Sequence, residues 1–294
     1  MRLQDFDSGE RYRARILSNI PITGPSAAEE VHELQLEIDV AEFTFAIGQS
    51  IGVIVEGPFR QAGRPDLELG HDNHFRLYTV ADSPQTNERG KPVIKLCVKR
   101  CSYIDEHNGE EYPGIASNYL CDRTADDVIT INGPFGLPFE VPKEHDADLL
   151  LIGMGTGIAP FRALVRHIYQ DVGDWRGRVR LFYGARTGME LLYMNDQIDD
   201  FAQYYDMDTF KAFQALSPRP HWDSPADIAG EIHDRSDEVL EILHSDKGYV
   251  YVAGRQAVLD TLEKTLSSLL GSEDEWQALK LAKTTSGHWR ELIY

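Results

Sequence analysis

The run Leu149-Leu150-Leu151-Ile152 passes straight into Gly153-Met154-Gly155-Thr156-Gly157-Ile158-Ala159-Pro160. No other junction constrains the fold of this chain as strongly. An unbroken apolar run describes a strand buried on both faces, the pattern of a parallel sheet. The glycines after it permit a tight turn and close backbone approach. Pro160 suits the first position of a helix. Such a helix aims its unsatisfied N–H groups and positive dipole end back at the turn, which suits an anion such as a pyrophosphate. The spacing is not the common G-x-G-x-x-G fingerprint, because Ile158 stands where the third glycine would be. Position after a buried strand, more than the glycines themselves, favours a ligand site.

Downstream, strands and helices alternate. Strands are expected at Val179 to Tyr183, Phe210 to Leu216 and Tyr249 to Val252. Helices are expected at Phe161 to Gln170, Glu190 to Gln203, around Asp234 to Leu243, and at Gln256 to Leu270. That alternation predicts a parallel α/β sheet covered on both faces. Gly184-Ala185-Arg186-Thr187 and Ala253-Gly254-Arg255-Gln256 end later strands with similar loops, so several Gly/Arg loops converge on one rim.

Upstream the pattern differs. Arg13 to Ile20, Val31 to Ile38, Ser50 to Val55, Phe75 to Val80, Val93 to Lys99 and Asp127 to Ile131 are short strand-like runs separated by turn residues. They predict a six-stranded antiparallel β-barrel. Gly57 to Asn73 reads as a surface loop. The change of pattern near Pro142 to Asp146 divides the chain into residues 1–145 and 146–294.

Composition removes several functions. Lys and Arg number 29 against 48 Asp and Glu, a net charge of −19 at pH 7, which repels nucleic acid. No apolar run reaches the roughly 20 residues of a membrane helix. The first residues lack the apolar core of a secretory signal, so a cytoplasmic location is expected. Cys97, Cys101 and Cys121 are too few for a four-thiolate cluster. No metal site is expected.

Arg76-Leu77-Tyr78-Thr79 alternates along a strand, placing Arg76 and Tyr78 on one face. An arginine can clamp a phosphate, and an aromatic ring can stack on a planar one. Other ordered stretches are Gly48-Gln49-Ser50-Ile51-Gly52-Val53, Leu96-Cys97-Val98-Lys99-Arg100, Gly114-Ile115-Ala116-Ser117-Asn118-Tyr119-Leu120, Gly133-Pro134-Phe135-Gly136, Leu191-Leu192-Tyr193 and the final Tyr294. Together with the glycine turn continuing into Phe161-Arg162, they make the chain from about Arg13 onward resemble the plant-type ferredoxin–NADP reductase family.

The resemblance implies an FAD-binding barrel domain and an NADP(H)-binding α/β domain. It implies exchange of electrons between NAD(P)H and a one-electron carrier, ferredoxin or flavodoxin. Arg76 would bind the flavin pyrophosphate, and Tyr78, after Leu77, would stack on the isoalloxazine. Thr79 would hydrogen-bond near its reactive nitrogen. Cys97, Val98 and Lys99 would line FAD, Tyr103 would stack on its adenine, and Gly114, Ile115, Ala116 and Ser117 would hold its pyrophosphate. Gly155, Thr156, Gly157 and Gly254 would face the dinucleotide. Tyr294 would cover the flavin until the nicotinamide displaces it.

The chain departs from that pattern on the nicotinamide side. Ala253 replaces a cysteine, and Leu292 stands where relatives carry a glutamate. Glu291 is one position earlier and is the candidate acid, although a one-residue shift in a strand turns the side chain to the other face. Ser217 and Arg219, with Arg186, are the candidates for a 2′-phosphate. Asp227 occupies a usual tyrosine position and would repel that phosphate, which keeps NADH a rival, but the guanidinium of Arg186 can compensate and NADPH is preferred here. Arg11, Arg13, Arg15, Lys99 and Arg100 are the candidate basic docking residues for an acidic carrier. Two alternatives stay open: the reductase component of an oxygenase system, and a non-catalytic electron-transfer subunit.

Overall fold

The computed structural model describes the chain apart from residues 1–8, 58–59, 62–63, 69–72, 106–107, 138, 140 and 219–225. It forms two compact units. One comprises Met1–Ile22 and Glu29–Pro138, the other Thr23–Ala28 and Phe139–Tyr294.

The first unit contains β1 (Arg11–Pro21), β2 (Val31–Ile38), β3 (Ser50–Val55), β4 (Arg60–Gln61), β5 (Arg64–Glu68), β6 (His74–Thr79), β7 (Gln85–Thr86), β8 (Pro92–Lys99), β9 (Ser102–Ile104), β10 (Glu111–Pro113), α1 (Ile115–Cys121) and β11 (Val128–Phe135). The main sheet has the order β6-β3-β11-β1-β2-β8-β7, with every pairing antiparallel. The six long strands are those expected, and β7 adds a short edge. Beyond β6 the chain returns to β8 through one bridge, Val80↔Leu96, and an Ala81 N–H to Lys95 O bond of 2.8 Å. The sheet therefore curls toward a ring whose seam is a bridge, not a full ladder. Its inward residues, including Ile16, Leu34, Leu36, Ile51, Val53, Ile94 and Leu96, form the core. Within the expected 57–73 loop, β4 and β5 form a small hairpin.

The second unit contains β12 (Asp148–Met154), α2 (Ile158–Arg166), β13 (Val179–Ala185), β14 (Phe210–Leu216), α3 (Ile228–His233), α4 (Ser236–His244), β15 (Gly248–Gly254), α5 (Gln256–Leu270), α6 (Glu273–Thr285) and β16 (Trp289–Ile293). Its sheet has the order β14-β13-β12-β15-β16 and is parallel throughout. The chain moves outward from β12 to β13 and β14, then crosses back to β15 on the other side of β12. The carboxyl ends of β12 and β15 thus form a topological switch point, where ligands bind in open α/β sheets. No helix among the described residues is long and apolar enough to cross a membrane.

One expected helix is absent. Residues Glu190 to Gln203 form short 3₁₀ turns and bends, not a helix. Tyr193 sits at φ +62, which interrupts helical geometry. The Asn195 side chain accepts from the N–H groups of Gln197 (2.9 Å) and Ile198 (3.1 Å), a local turn that competes with helix. Conversely α1, α6 and β16 form without having been expected. Trp276 of α6 and Trp289 of β16 pack edge to face at 5.4 Å in the apolar core. That long-range burial stabilises a helix whose sequence is largely polar.

Candidate functional site

In the second unit, the turn after β12 is set by two different demands on its glycines. Gly155 has φ +54, a conformation that disfavours side chains, and an added Cβ would meet nothing within 4 Å. Gly157 is the reverse case: an added Cβ would lie 2.3 Å from the Ala253 carbonyl oxygen at the end of β15. So Gly157 lets the turn lie against the neighbouring strand, while Gly155 leaves open space beside it. Tyr183 of β13, fully buried, donates its hydroxyl to Gly155 O at 2.9 Å and accepts from the Leu192 N–H at 3.3 Å. This buried clamp is not legible in the sequence, because a tyrosine inside an apolar run looks like any core aromatic.

Tyr294 meets the same turn. Its N–H donates to Gly254 O at 3.1 Å, and its hydroxyl lies 2.7 Å from Thr156 Oγ1. The ring is 58% exposed. Gly155, Thr156, Gly157, Gly254 and Tyr294 are therefore brought together at the switch point. The open space at Gly155 and the start of the helical run at the Gly155–Gly157 3₁₀ turn, which leads directly into α2, fit a dinucleotide phosphate.

Glu291 does not join them. It accepts from Trp289 Nε1 at 2.6 Å and pairs with Lys280 of α6 at 2.8 Å. In the β15–β16 ladder Glu291 stands opposite Val252 and Leu292 opposite Ala253, so alternation sends Glu291 to the helix side with Trp289. Asp227 serves the fold as the N-cap of α3, accepting from Gly230 N–H at 2.8 Å. Arg186 is exposed at the end of β13, and Ser217 is buried just beyond β14. Arg219 lies outside the described residues.

In the first unit, Arg76 and Tyr78 lie on β6, opposite Val53 and Ile51 of β3. Arg76 is exposed and donates to Phe75 O at 2.7 Å. Tyr78 packs on the core, as Ile115 and Tyr119 also do, and burial pushes its phenol pKa up. Leu77 is half-buried on the opposite face. Thr79 Oγ1 lies 3.1 Å from Ser50 Oγ across the β3–β6 ladder. Val98 and Cys97 are buried, whereas Tyr103 is 46% exposed beside Tyr112 on the β9–β10 hairpin. An exposed guanidinium and an exposed tyrosine ring suit a phosphate-bearing aromatic cofactor such as FAD.

Gly114 precedes α1, and the first turn of that helix leaves the Ile115, Ala116 and Ser117 N–H groups without intrahelical acceptors. The Ser117 hydroxyl, in contrast, is used internally, accepting from Cys101 N–H at 3.1 Å and reaching Gly114 O at 3.4 Å. The basic docking candidates are largely neutralised. Lys99 pairs with Glu29, Arg100 with Glu30 (3.0 Å) and Asp122 (2.9 Å), and Arg15 with Glu37 (3.0 Å) and Asp126 (3.1 Å). Among the described residues no cluster suits a metal ion.

Residues 151–264 match the family of oxidoreductase NAD-binding domains. Across the whole chain, similarity extends to the leaf isozyme 2 ferredoxin–NADP reductase of Oryza sativa subsp. indica, at 30% identity over 97% of this chain and 76% of that protein. The leaf isozyme 1 of Arabidopsis thaliana is 30% identical over 98% of this chain and 79% of its own. The fold is similar to that of the Plasmodium falciparum ferredoxin–NADP⁺ reductase, with a TM-score of 0.70 at 19% identity, covering 97% of this chain and 96% of that one. A parallel sheet with its glycine turn at the switch point, an antiparallel sheet beside it in the sequence, and end-to-end similarity to these reductases lead to one assignment: the chain belongs to the ferredoxin–NADP reductase family of oxidoreductases.

Proposed function

We propose that this protein is an FAD-dependent reductase exchanging electrons between NADP(H) and a ferredoxin or flavodoxin-like carrier. Residues 1–145 would hold FAD and residues 146–294 NADP(H). The observation that carries the reading is the meeting of Gly155, Thr156, Gly254 and Tyr294 at the switch point of a chain in this family. Bound FAD would accept a hydride from the nicotinamide and pass electrons on singly.

The chain's own residues bind and orient. Arg76 supplies a fixed positive fork for the flavin pyrophosphate. Tyr78 and Tyr103 offer ring faces, and Cys97, Val98 and Lys99 line the cofactor. Ile115 to Ser117 contribute backbone N–H groups beside Gly114, whose own N–H is engaged by Cys101 O at 2.8 Å as the Ser117 hydroxyl is by Cys101 N–H. Thr79, paired with Ser50, holds a hydroxyl where a proton can be managed. Arg186, with Ser217 and Arg219, would hold a 2′-phosphate, and NADH is the rival if they do not. Tyr294 shields the flavin and yields to the nicotinamide, so Tyr294→Ser should tighten nicotinamide binding and slow turnover. A cytoplasmic location belongs to the same proposal and is checked by cell fractionation.

The test is dye reduction by the FAD-loaded protein with NADPH and NADH side by side, scored by kcat/KM. Failure to bind FAD would sink the reading. A preference for NADH would overturn the roles of Arg186, Ser217 and Arg219. The ion pairing of Arg15, Lys99 and Arg100 supports a second acceptor class, the less acidic partner of an oxygenase system. Carrier reduction that is flat or rises with salt would favour it, since steering by opposite charge weakens with salt.

A further inference from the structure

The Tyr183 hydroxyl of β13 joins two loops, and its polarity is fixed. The Leu192 N–H donates to it at 3.3 Å, so its one proton goes to Gly155 O at 2.9 Å. The segment holding Leu192 is pinned in turn from α2, where the Arg162 guanidinium lies 4.7 Å over the Tyr193 ring and its Nε donates to Asp200 at 2.6 Å. A phenylalanine ring would fill the same space as Tyr183, so packing does not require the hydroxyl.

We propose that Tyr183 is a positioning residue for the coenzyme pyrophosphate: its hydroxyl sets the direction of the Gly155–Thr156 peptide and ties that setting to Leu192, beyond the loop that carries Arg186. This rests on the function proposed above. The peptide is trans, so its C=O and N–H point in opposite directions. A Gly155 carbonyl drawn to the buried Tyr183 hydroxyl sends the Thr156 N–H the other way. That N–H opens a helical run, where such groups have no acceptor within the run and suit an anion. Glycine at 155, with φ +54, leaves this peptide free to turn over. Tyr183 removes that freedom, because a reversed peptide would present N–H to the hydroxyl and leave the phenol proton without its acceptor. The hydroxyl thus acts on the coenzyme through backbone alone and never touches it.

The experiment uses the FAD-loaded protein and calorimetric titration with ADP-ribose and 2′-phospho-ADP-ribose, which carry the pyrophosphate and no nicotinamide. Tyr183→Phe should raise the Kd of whichever probe the parent binds more tightly by roughly threefold to tenfold, the range for a single neutral hydrogen bond. Ile242→Val, at a fully buried position on α4, is the control for lost stability: it should lower the Tm and leave the Kd as in the parent. A Tyr183→Phe protein that likewise melts earlier but binds as the parent does would reduce Tyr183 to a packing residue and leave the proposed function standing. Hydrogen exchange on the parent gives a second reading that needs no variant. Binding of the probe should slow exchange of the Leu192 amide together with those of Gly155 to Gly157. Exchange at Leu192 that ignores the probe would overturn the coupling. A parent protein that binds neither probe nor either nicotinamide dinucleotide would overturn the proposed function and this inference together.

Discussion

Gly157→Ala tests the turn at its tightest point. The added Cβ would lie 2.3 Å from Ala253 O, 2.7 Å from Ala253 C and 3.1 Å from Gly254 Cα. Ordinary contact begins at 3.4 Å, so the turn must retreat from β15 by about 1 Å. All three obstacles are backbone atoms at the end of a strand paired on both sides, with β12 and β16. No rotamer change can relieve them. Overpacking costs about 1–3 kcal/mol, and an unyielding backbone puts this case at the upper end. In a unit of this size that corresponds to a Tm lower by roughly 6–12 °C. The retreat also carries Thr156 away from Gly254, so dinucleotide affinity should fall with stability. Gly155→Ala is the control: it meets no atom, and its cost is conformational alone, about 1–2 kcal/mol at φ +54. Thermal and urea denaturation with parallel dinucleotide titration would check both. A Gly157→Ala protein that melts with the parent and binds as well would refute the packing argument.

Other predictions concern single groups. Burial first, then the neighbouring Arg76, lowers the His74 pKa from 6.5 to about 4. The unfolded chain then binds more protons between those values, so stability present above pH 6.5 is lost as pH falls toward 4. His74→Gln should flatten that acid dependence in urea midpoints, and an unchanged slope would remove His74 as its source. Asp227→Ala should cost about 1 kcal/mol through loss of the α3 cap, while Asp227→Asn should spare it. If the charge also repels a 2′-phosphate, both variants raise the NADPH-over-NADH ratio of kcat/KM. Glu291→Gln should weaken the contacts to Lys280 and leave the pH profile of kcat in place. A shifted profile would return Glu291 to the chemistry.

Legibility followed the range of the interactions. β2, β3, β14 and α5 have the bounds expected from local pattern, because alternation and turn residues act within the segment itself. The Glu190–Gln203 segment misled because its apolar spacing is helical, whereas Tyr193 and Asn195 close local turns. In the site, Gly155 and Gly157 look alike in sequence. One answers to its own φ and the other to Ala253, far along the chain. The Ser117 hydroxyl and the bases Lys99 and Arg100 read as free for ligand or partner. Cross-chain hydrogen bonds and ion pairs engage them instead.

By itself the sequence determined the class of each half, the strand-turn-helix junction at Gly153 to Pro160, and the family to which these motifs belong. These are local patterns, or orders of patterns, that need no partner to be recognised. Only the tertiary structure decided which way Glu291 points, since strand register sets the face. It alone showed that Asp227 caps a helix. It alone tied the hydroxyl of Tyr294 to Thr156, because that bond spans 138 positions and exists only once β12 and β15 lie side by side.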